Sequence, residues 1–162
     1  MVIWKIILLG WMEKTMTDHN LPEEVSKRAN QEDPIIMYLI VRESLNMSIG
    51  KTAAQCAHAS QMLLLNHFDL MQKDHCGWAS IEEKNITTIF TEWLDTSFRK
   101  VVLKADEKEW IKLKTQLSKE QFVVVVDVGL TELAPQTETV IGIIPMRKSE
   151  APKLIKRLQV LK

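Results

Sequence analysis

Several features that would place this chain in a specialised class of protein are scarce or absent. Its 162 residues include two cysteines, Cys56 and Cys76, which are too few for a disulfide framework and favour a reducing cytosol. No run reaches the roughly 18 consecutive apolar residues that a bilayer span needs, so we expect no stable membrane insertion. With 46% hydrophobic and 26% charged residues, the chain is expected to fold around one core.

The net charge of zero hides an uneven charge distribution. The chain has 21 basic and 21 acidic side chains, but residues 147–162 carry six basic and one acidic side chain. Residues 1–34 carry four basic and six acidic side chains, which leaves a net charge of +2 on residues 35–162. The average therefore argues against a strongly basic nucleic-acid binder, whereas the basic C-terminal end still permits contact with nucleic-acid phosphates.

The first 34 residues are predicted to be an N-terminal extension or linker, and residues 35–162 to be the compact domain. The extension begins with the apolar segment 2–11, which has no basic region before it and no small-residue cleavage site after it. A secretory signal is therefore not expected. We favour a short packed or disordered segment over a weak membrane or partner contact.

Strand patterns alternate with helix patterns from residue 35 onward. Strands are predicted at 36–41, 99–103, 122–126 and 139–144, with 160–161 as an optional short edge strand. Helices are predicted at 50–67, 81–94, 106–117 and 149–157. This alternation predicts an α/β fold in which helices cover both faces of the sheet, a three-layer α/β/α sandwich.

Four local features complete this prediction. The consecutive leucines 63–65 indicate that the C-terminal half of the first helix is well buried. Residues 69–78 are polar and are predicted to be a loop. Pro145 is expected to end the fourth strand, and Ser149 is expected to cap the last helix.

One short motif resembles a nucleotide-binding loop. Gly50-Lys51-Thr52 follows a strand and opens a helix, as in phosphate-binding loops, and Asp127 ends a hydrophobic strand like a magnesium-binding acid. However, the full motif requires a glycine five residues before Gly50, where Leu45 stands. The NTPase interpretation is therefore disfavoured.

Two longer motifs carry a more specific resemblance. The first motif consists of residues 38–42, Met47 and the run GKTAAQCAHA at 50–59. It resembles the N-terminal signature of the archaeal/eukaryotic-type peptidyl-tRNA hydrolase family, Pth2. The run DVGLTELAP at 127–135 is similar to that family's Asp-Ala-Gly-x-Thr-x-x-x-Pro loop, and residues 137–145 are similar to the strand that follows it. The resemblance implies a mixed sheet of about four strands and a homodimer. It also implies hydrolysis of the ester between a peptidyl group and the 3′ ribose of tRNA, with no metal or organic cofactor.

The candidate active site combines residues from both motifs. Lys51, Gln55 and His58 share one helix face, since their azimuths fall within about 60°. Lys51 could hold a phosphate or polarise an ester carbonyl, and Asp127 could activate water or hold the lysine. The structural alternatives are a solvated lysine and an aspartate that caps the next turn. The resemblance implies an active site of Lys51, Gln55, Asp127, Thr131 and Thr139.

Other reactive side chains are interpreted as structural. His58 fits a satisfied core histidine better than a general base, and Cys56 fits a small buried hydrophobe better than a nucleophile. His67, His75 and Cys76 match no familiar metal-ligand spacing, so no metal site is predicted.

The sequence departs from the family pattern at its basic positions. Residues 47–51 are Met-Ser-Ile-Gly-Lys where the family commonly has Met-Gly-Lys-Gly-Lys, and Leu130 stands where a lysine is frequent. Because these basic side chains are missing, an alternative stays open, namely a non-catalytic tRNA- or protein-binding module of the same fold. The side chains predicted to contact the tRNA backbone are Arg147, Lys148, Lys153, Lys156 and Arg157, with a solvated helix face as the alternative.

Overall fold

The computed structural model describes residues 32–96 and 98–162. The predicted N-terminal extension, residues 1–34, therefore lies almost entirely outside the described residues. The strands are β1 (Ile35–Arg42), β2 (Lys100–Ala105), β3 (Phe122–Asp127), β4 (Thr137–Arg147) and β5 (Gln159–Val160). The helices are α1 (Ile49–His75), α2 (Ile81–Thr96), α3 (Glu107–Gln116) and α4 (Lys153–Arg157). In this part of the chain, no helix is both long enough and apolar enough to cross a bilayer.

The five strands form one mixed sheet in the order β3-β4-β1-β2-β5. The apolar run of β1 lies in the middle of this sheet, parallel to β2 and antiparallel to β4. The predicted α/β fold is confirmed. The sheet has five strands rather than about four, because the two-residue strand β5 pairs with the outer edge of β2.

Each face of the sheet is covered by its own hydrophobic cluster. Alternate residues of β1 point to opposite faces, so Met37 packs with α1 and α2, whereas Ile40 packs with α3 and α4. The first cluster contains Phe90 and Trp93, and the second contains Trp110. Helices therefore cover both faces of the sheet, as the alternation predicts.

Helix α1 is longer than predicted, because the polar residues 69–75 continue it instead of forming a loop. Nothing in this stretch breaks a helix until Gly77, which adopts a φ of +75° and donates its N–H to the Asp74 carbonyl. The prediction of a well-buried leucine run was also too broad. Leu63 is buried, but Leu65 is 62% exposed, because neighbouring residues on a helix cannot all face the sheet.

Strand β4 does not end at Pro145 but continues to Arg147. The pairing with β1 shifts between Ile36 and Tyr38, so Pro145 lies at a bulge. On the other side, the pairing of β4 with β3 ends at Ile143, and the proline therefore interrupts no ladder there.

Ser149 does not cap the last helix. Its hydroxyl and its N–H both donate to the carboxylate of Asp33, and α4 begins at Lys153 after Pro152. The serine therefore joins the C-terminal segment to the residues that precede β1.

Candidate active site

The five predicted site residues meet at one end of the sheet. Lys51 and Gln55 lie in the first turns of α1, whereas Asp127 is the last residue of β3 and Thr139 lies near the start of β4. Thr131 belongs to the connection between β3 and β4. More than seventy residues separate Gln55 in α1 from Asp127 in β3, yet the fold brings these two side chains into hydrogen-bond contact.

The start of α1 is held by a serine cap that contacts the β3–β4 connection. The Ser48 hydroxyl oxygen accepts a hydrogen bond from the Lys51 N–H at 3.2 Å, which satisfies one of the free donors of the first turn. The same hydroxyl donates to Glu132 at 2.8 Å. Ser48 therefore sets the position of Lys51 and ties it to the connection that carries Thr131.

Asp127 is a buried, ionised carboxylate with three donors. It is 5% exposed and forms an ion pair with the Lys51 ammonium group. Its oxygens also accept hydrogen bonds from the Gly129 N–H at 2.8 Å and from Gln55 Nε2 at 2.7 Å. The Lys51 contact, followed by the Gly129 N–H, lowers the pKa of Asp127 below its ordinary value of 3.8. At neutral pH the carboxylate is therefore a weak proton acceptor and a strong anchor for the lysine.

The bend after Asp127 requires a glycine. Gly129 has a φ of +84°, and a Cβ there would lie 2.5 Å from the backbone nitrogen of Pro135. The chain folds back tightly enough for the Gln136 N–H to donate to the Asp127 carbonyl at 2.8 Å. The closed loop places the Thr131 hydroxyl 3.1 Å from Lys51 Nζ.

A buried hydrogen-bond relay fixes the orientation of Gln55. Thr139 is fully buried and donates to Gln55 Oε1 at 2.7 Å, with the Val125 carbonyl as an alternative acceptor at 3.2 Å. The acceptor end of the amide is thus occupied, so its Nε2 donates to Asp127.

A shift in strand pairing explains why Thr139 faces α1. Between Val125 and Val126 the register of β3 against β4 changes, which marks a bulge. Glu138 contacts Trp110 on the α3 side of the sheet, whereas Thr139 contacts Gln55 and Val140 packs in the cluster with α1. Two successive residues therefore point toward α1, an arrangement that strict alternation does not predict.

The exposed part of the site consists of an ammonium group and a hydroxyl. The Lys51 side chain is 14% exposed, and its Nζ donates to the Thr131 hydroxyl at 3.1 Å. Thr131 is exposed to solvent. The Lys51 ammonium group is held between the Thr131 hydroxyl and the buried Asp127 carboxylate. A cation fixed in this way can stabilise negative charge that develops on an oxygen of a bound ester.

The basic residues predicted to contact tRNA make their described contacts outside the Lys51–Asp127 pair. Arg147 pairs with Ile35 in the sheet. It lies eight residues along β4 from Thr139, which is about 26 Å in an extended strand. Its guanidinium group also forms an ion pair with Glu92 at 2.9 Å. Lys156 donates to the Ser149 carbonyl at 2.7 Å. Lys148, Lys153 and Arg157 follow in the same C-terminal segment, and Arg157 lies two residues before Gln159, which pairs with Lys104 in β2. Within the described residues, the structure shows no contact between this group and the Lys51–Asp127 pair.

Two side chains near the site differ from the sequence prediction. His58 is exposed on α1 and is not a core histidine, because it lies outside the buried stripe of Cys56, Ala59 and Leu63. The sequence does not single out Glu132, since only its partner Ser48 gives it a place in the site. Cys56 is buried, as predicted, and burial raises the pKa of its thiol.

Comparison with known proteins gives matches over nearly all of the described chain. The model of the family "Peptidyl-tRNA hydrolase PTH2" matches residues 35–161. The peptidyl-tRNA hydrolase of Methanopyrus kandleri is 35% identical over 127 residues, covering 76% of this chain and 96% of that protein. That of Saccharolobus islandicus is 30% identical over 112 residues, covering 67% and 84%. The bovine protein "Peptidyl-tRNA hydrolase 2, mitochondrial" is 34% identical over 152 residues, covering 86% and 76%.

Proposed function

The chain belongs to the peptidyl-tRNA hydrolase PTH2 family, and on this premise we propose that it hydrolyses peptidyl-tRNA. The reaction cleaves the ester between the peptidyl carbonyl and the 3′ oxygen of the terminal ribose. The observation that carries the proposal is the ion pair between Lys51 and Asp127, which joins the two motifs of the family resemblance. The lysine also contacts the solvent-exposed Thr131. The substrate is peptidyl-tRNA, and no metal or organic cofactor is part of the proposal.

In the proposed mechanism, water attacks the ester carbonyl and Lys51 stabilises the oxyanion. A bond forms between the water oxygen and the carbonyl carbon, the bond from that carbon to the 3′ oxygen breaks, and a proton from the water passes to the 3′ oxygen. The products are a free peptide and a tRNA with a 3′ hydroxyl. The ammonium group of Lys51 is held in place before the charge develops, which is the condition for effective electrostatic stabilisation.

Asp127, Gln55 and Thr139 act in this mechanism mainly as positioning residues. The lowered pKa of Asp127 makes it a poor base at neutral pH, so its main role is to hold the lysine and to orient water. Gln55 and Thr139 are buried and act through Asp127, whereas Lys51 and Thr131 face the substrate. The catalytic residues are therefore Lys51 and Thr131.

The test is the release of free tRNA from a tRNA that carries an N-acetylated amino acid. We expect Lys51→Ala to lower kcat by about a hundred-fold or more, the usual cost of losing one oxyanion-stabilising group. Lys112→Ala, on the exposed side of α3, is the matched control and should behave like the wild type. Equal rates for the wild type and Lys51→Ala would contradict the proposal. Retained tRNA binding without turnover would instead indicate the non-catalytic module.

We also propose that the basic C-terminal segment contacts the tRNA backbone. Its residues are Arg147, Lys148, Lys153, Lys156 and Arg157. If these side chains displace counterions, replacing Lys148 and Lys153 with alanine should flatten the slope of log affinity against log salt by about two. An unchanged slope would remove this segment from the interface.

The oligomeric state and the compartment are the remaining proposals. The family resemblance supports a homodimer, which sedimentation would detect as twice the 18.7 kDa chain mass. The free cysteines Cys56 and Cys76 are compatible with the cytosol. Because the name of the bovine relative places that protein in mitochondria, localisation should be measured on the full chain with residues 1–34 present.

A further inference from the structure

A groove runs away from the active site between helix α1 and strand β3. One wall is formed by side chains of α1, and the other by the middle of β3. The lining residues are His58, Gln61, Met62, Leu65 and Val124–Val126. The groove has a volume of about 440 Å³.

The α1 wall is a direct continuation of the active-site stripe. Residues 51, 55, 58, 62 and 65 follow one another at intervals of four and three, so they share one face of the helix. Lys51 and Gln55 occupy the part of this stripe that contacts Asp127. His58 begins one turn further on, so the groove starts where the catalytic group ends.

The opposite wall also leads into the site. Val126 directly precedes Asp127, so a ligand that follows β3 reaches the buried carboxylate and its lysine. Among the described residues, β3 has only β4 as a neighbouring strand, so its other edge has no strand beside it. An edge strand presents unpaired backbone N–H and C=O groups at alternate residues, and extended peptides bind such edges.

Five of the seven lining residues are apolar, His58 and Gln61 are the polar ones, and none is Lys, Arg, Asp or Glu. Leu65 is 62% exposed, and Val126 is 45% exposed. Residues 122–126 contain no charged side chain and no proline, the residues that commonly protect an open strand edge. This composition suits an uncharged chain in extended conformation rather than the phosphate backbone of a nucleic acid.

We propose that this groove, lined by α1 and the free edge of β3, binds the C-terminal residues of the peptidyl group. The inference rests on the proposed function, because the substrate ester must lie at Lys51 with its peptide on one side and its tRNA on the other. From His58 to Leu65 the helix rises about 10 Å, which is the length of about three extended peptide residues. The groove therefore favours substrates with several apolar residues next to the ester.

The experiment compares two substrates built on the same tRNA. One carries N-acetylalanine, and the other carries an N-acetylated apolar tetrapeptide that ends in alanine. For the wild type we expect a KM about ten-fold lower with the tetrapeptide, since a few apolar contacts give discrimination of this size. Leu65→Glu should abolish that preference, whereas Ile111→Glu, an equally exposed position on α3, should retain it. Val126→Lys gives a second, independent disruption of the groove from its β3 wall.

The outcomes separate this inference from the proposed function. If the wild type hydrolyses neither substrate, the proposed function fails and the inference fails with it. If it hydrolyses both with equal KM, or if Leu65→Glu and Val126→Lys keep the preference, the groove is not the peptide site although the enzyme assignment stands. Sedimentation of each variant completes the test. A preference that is lost only together with self-association would overturn the inference in favour of an interface between two copies of the chain.

Discussion

Helix α1 carries two buried polar side chains, Gln55 and His67, whose surroundings differ completely. Gln55 is 4% exposed and has a partner at each end of its amide, Thr139 and Asp127. His67 is 1% exposed, and neither ring nitrogen has a hydrogen-bond partner within the described part of the chain. Its ring stacks on Phe90 with centroids 4.2 Å apart. The difference teaches that burial alone does not mark a functional polar group. Gln55 is distinguished by its partners, because its amide links Thr139 to the buried carboxylate of Asp127.

Among the changes that test this comparison of Gln55 with His67, the largest effect is expected from Gln55→Leu. This change leaves the Asp127 carboxylate and the Thr139 hydroxyl without their shared partner, so the orientation of the Lys51–Asp127 pair loosens. We expect kcat to fall by about a hundred-fold and the free energy of unfolding to fall by about 1–3 kcal/mol. Turnover of peptidyl-tRNA and urea unfolding would measure the two quantities. Wild-type turnover in this variant would remove Gln55 from the site.

The second effect is a loss of stability in mild acid that originates at His67. Desolvation by burial lowers the pKa of this imidazole from 6.5 to about 4. As the pH falls below 6.5, the unfolded chain binds the proton before the folded chain does, so the free energy of unfolding decreases between pH 6.5 and about 4. At pH 5 we expect a loss of about 2 kcal/mol, measured by urea unfolding. His67→Leu should remove that loss, and a slope that persists in this variant would assign it to other groups.

A smaller effect is expected from Thr139→Val, which keeps the shape of the side chain and removes its hydroxyl. Gln55 Oε1 then loses its donor, while the contact of Gln55 with Asp127 remains. We expect kcat to fall by about ten-fold and the free energy of unfolding to fall by about 1 kcal/mol. Thr139→Ser retains the hydroxyl and should recover most of the rate. Equal rates for the two variants would contradict a role in orientation.

The smallest effect is expected from His67→Leu at pH 7.5. The neutral imidazole contributes stacking and packing but no hydrogen bond within the described residues, so an apolar residue of similar volume should change the free energy of unfolding by less than about 1 kcal/mol. Turnover should stay at the wild-type level. A large loss of activity would show that His67 is linked to the site through α1.

The fold was predictable to the extent that local pattern determines it. The apolar run of β1 and the helix pattern of α3 are properties of adjacent residues, and both appear where the sequence indicates. The errors fall where local and distant preferences compete. The polar stretch 69–75 is helical because α1 meets no breaker before Gly77, and Pro145 remains in β4 because it lies at a bulge.

The site was predicted as a set of residues but not as an arrangement. The two motifs nominate Lys51 and Asp127 and leave open whether the aspartate activates water or holds the lysine. Only the tertiary structure shows the ion pair between them. The orientation of Thr139 depends on a bulge in the pairing of β3 with β4, and the partner of Ser48 is a glutamate more than eighty residues away. His58 was placed in the core because an alanine-rich helix does not by itself show which face meets the sheet.

The sequence by itself determined the α/β alternation, the two motifs and the chemical groups that the site contains. These features depend on residue type and spacing, which are fixed along the chain. Only the tertiary structure decided which buried polar groups are satisfied, which face of α1 is exposed and where Arg147 lies relative to Thr139. Those outcomes depend on the register of the sheet and on the rotation of α1 against it, and both are set by contacts between residues far apart in sequence.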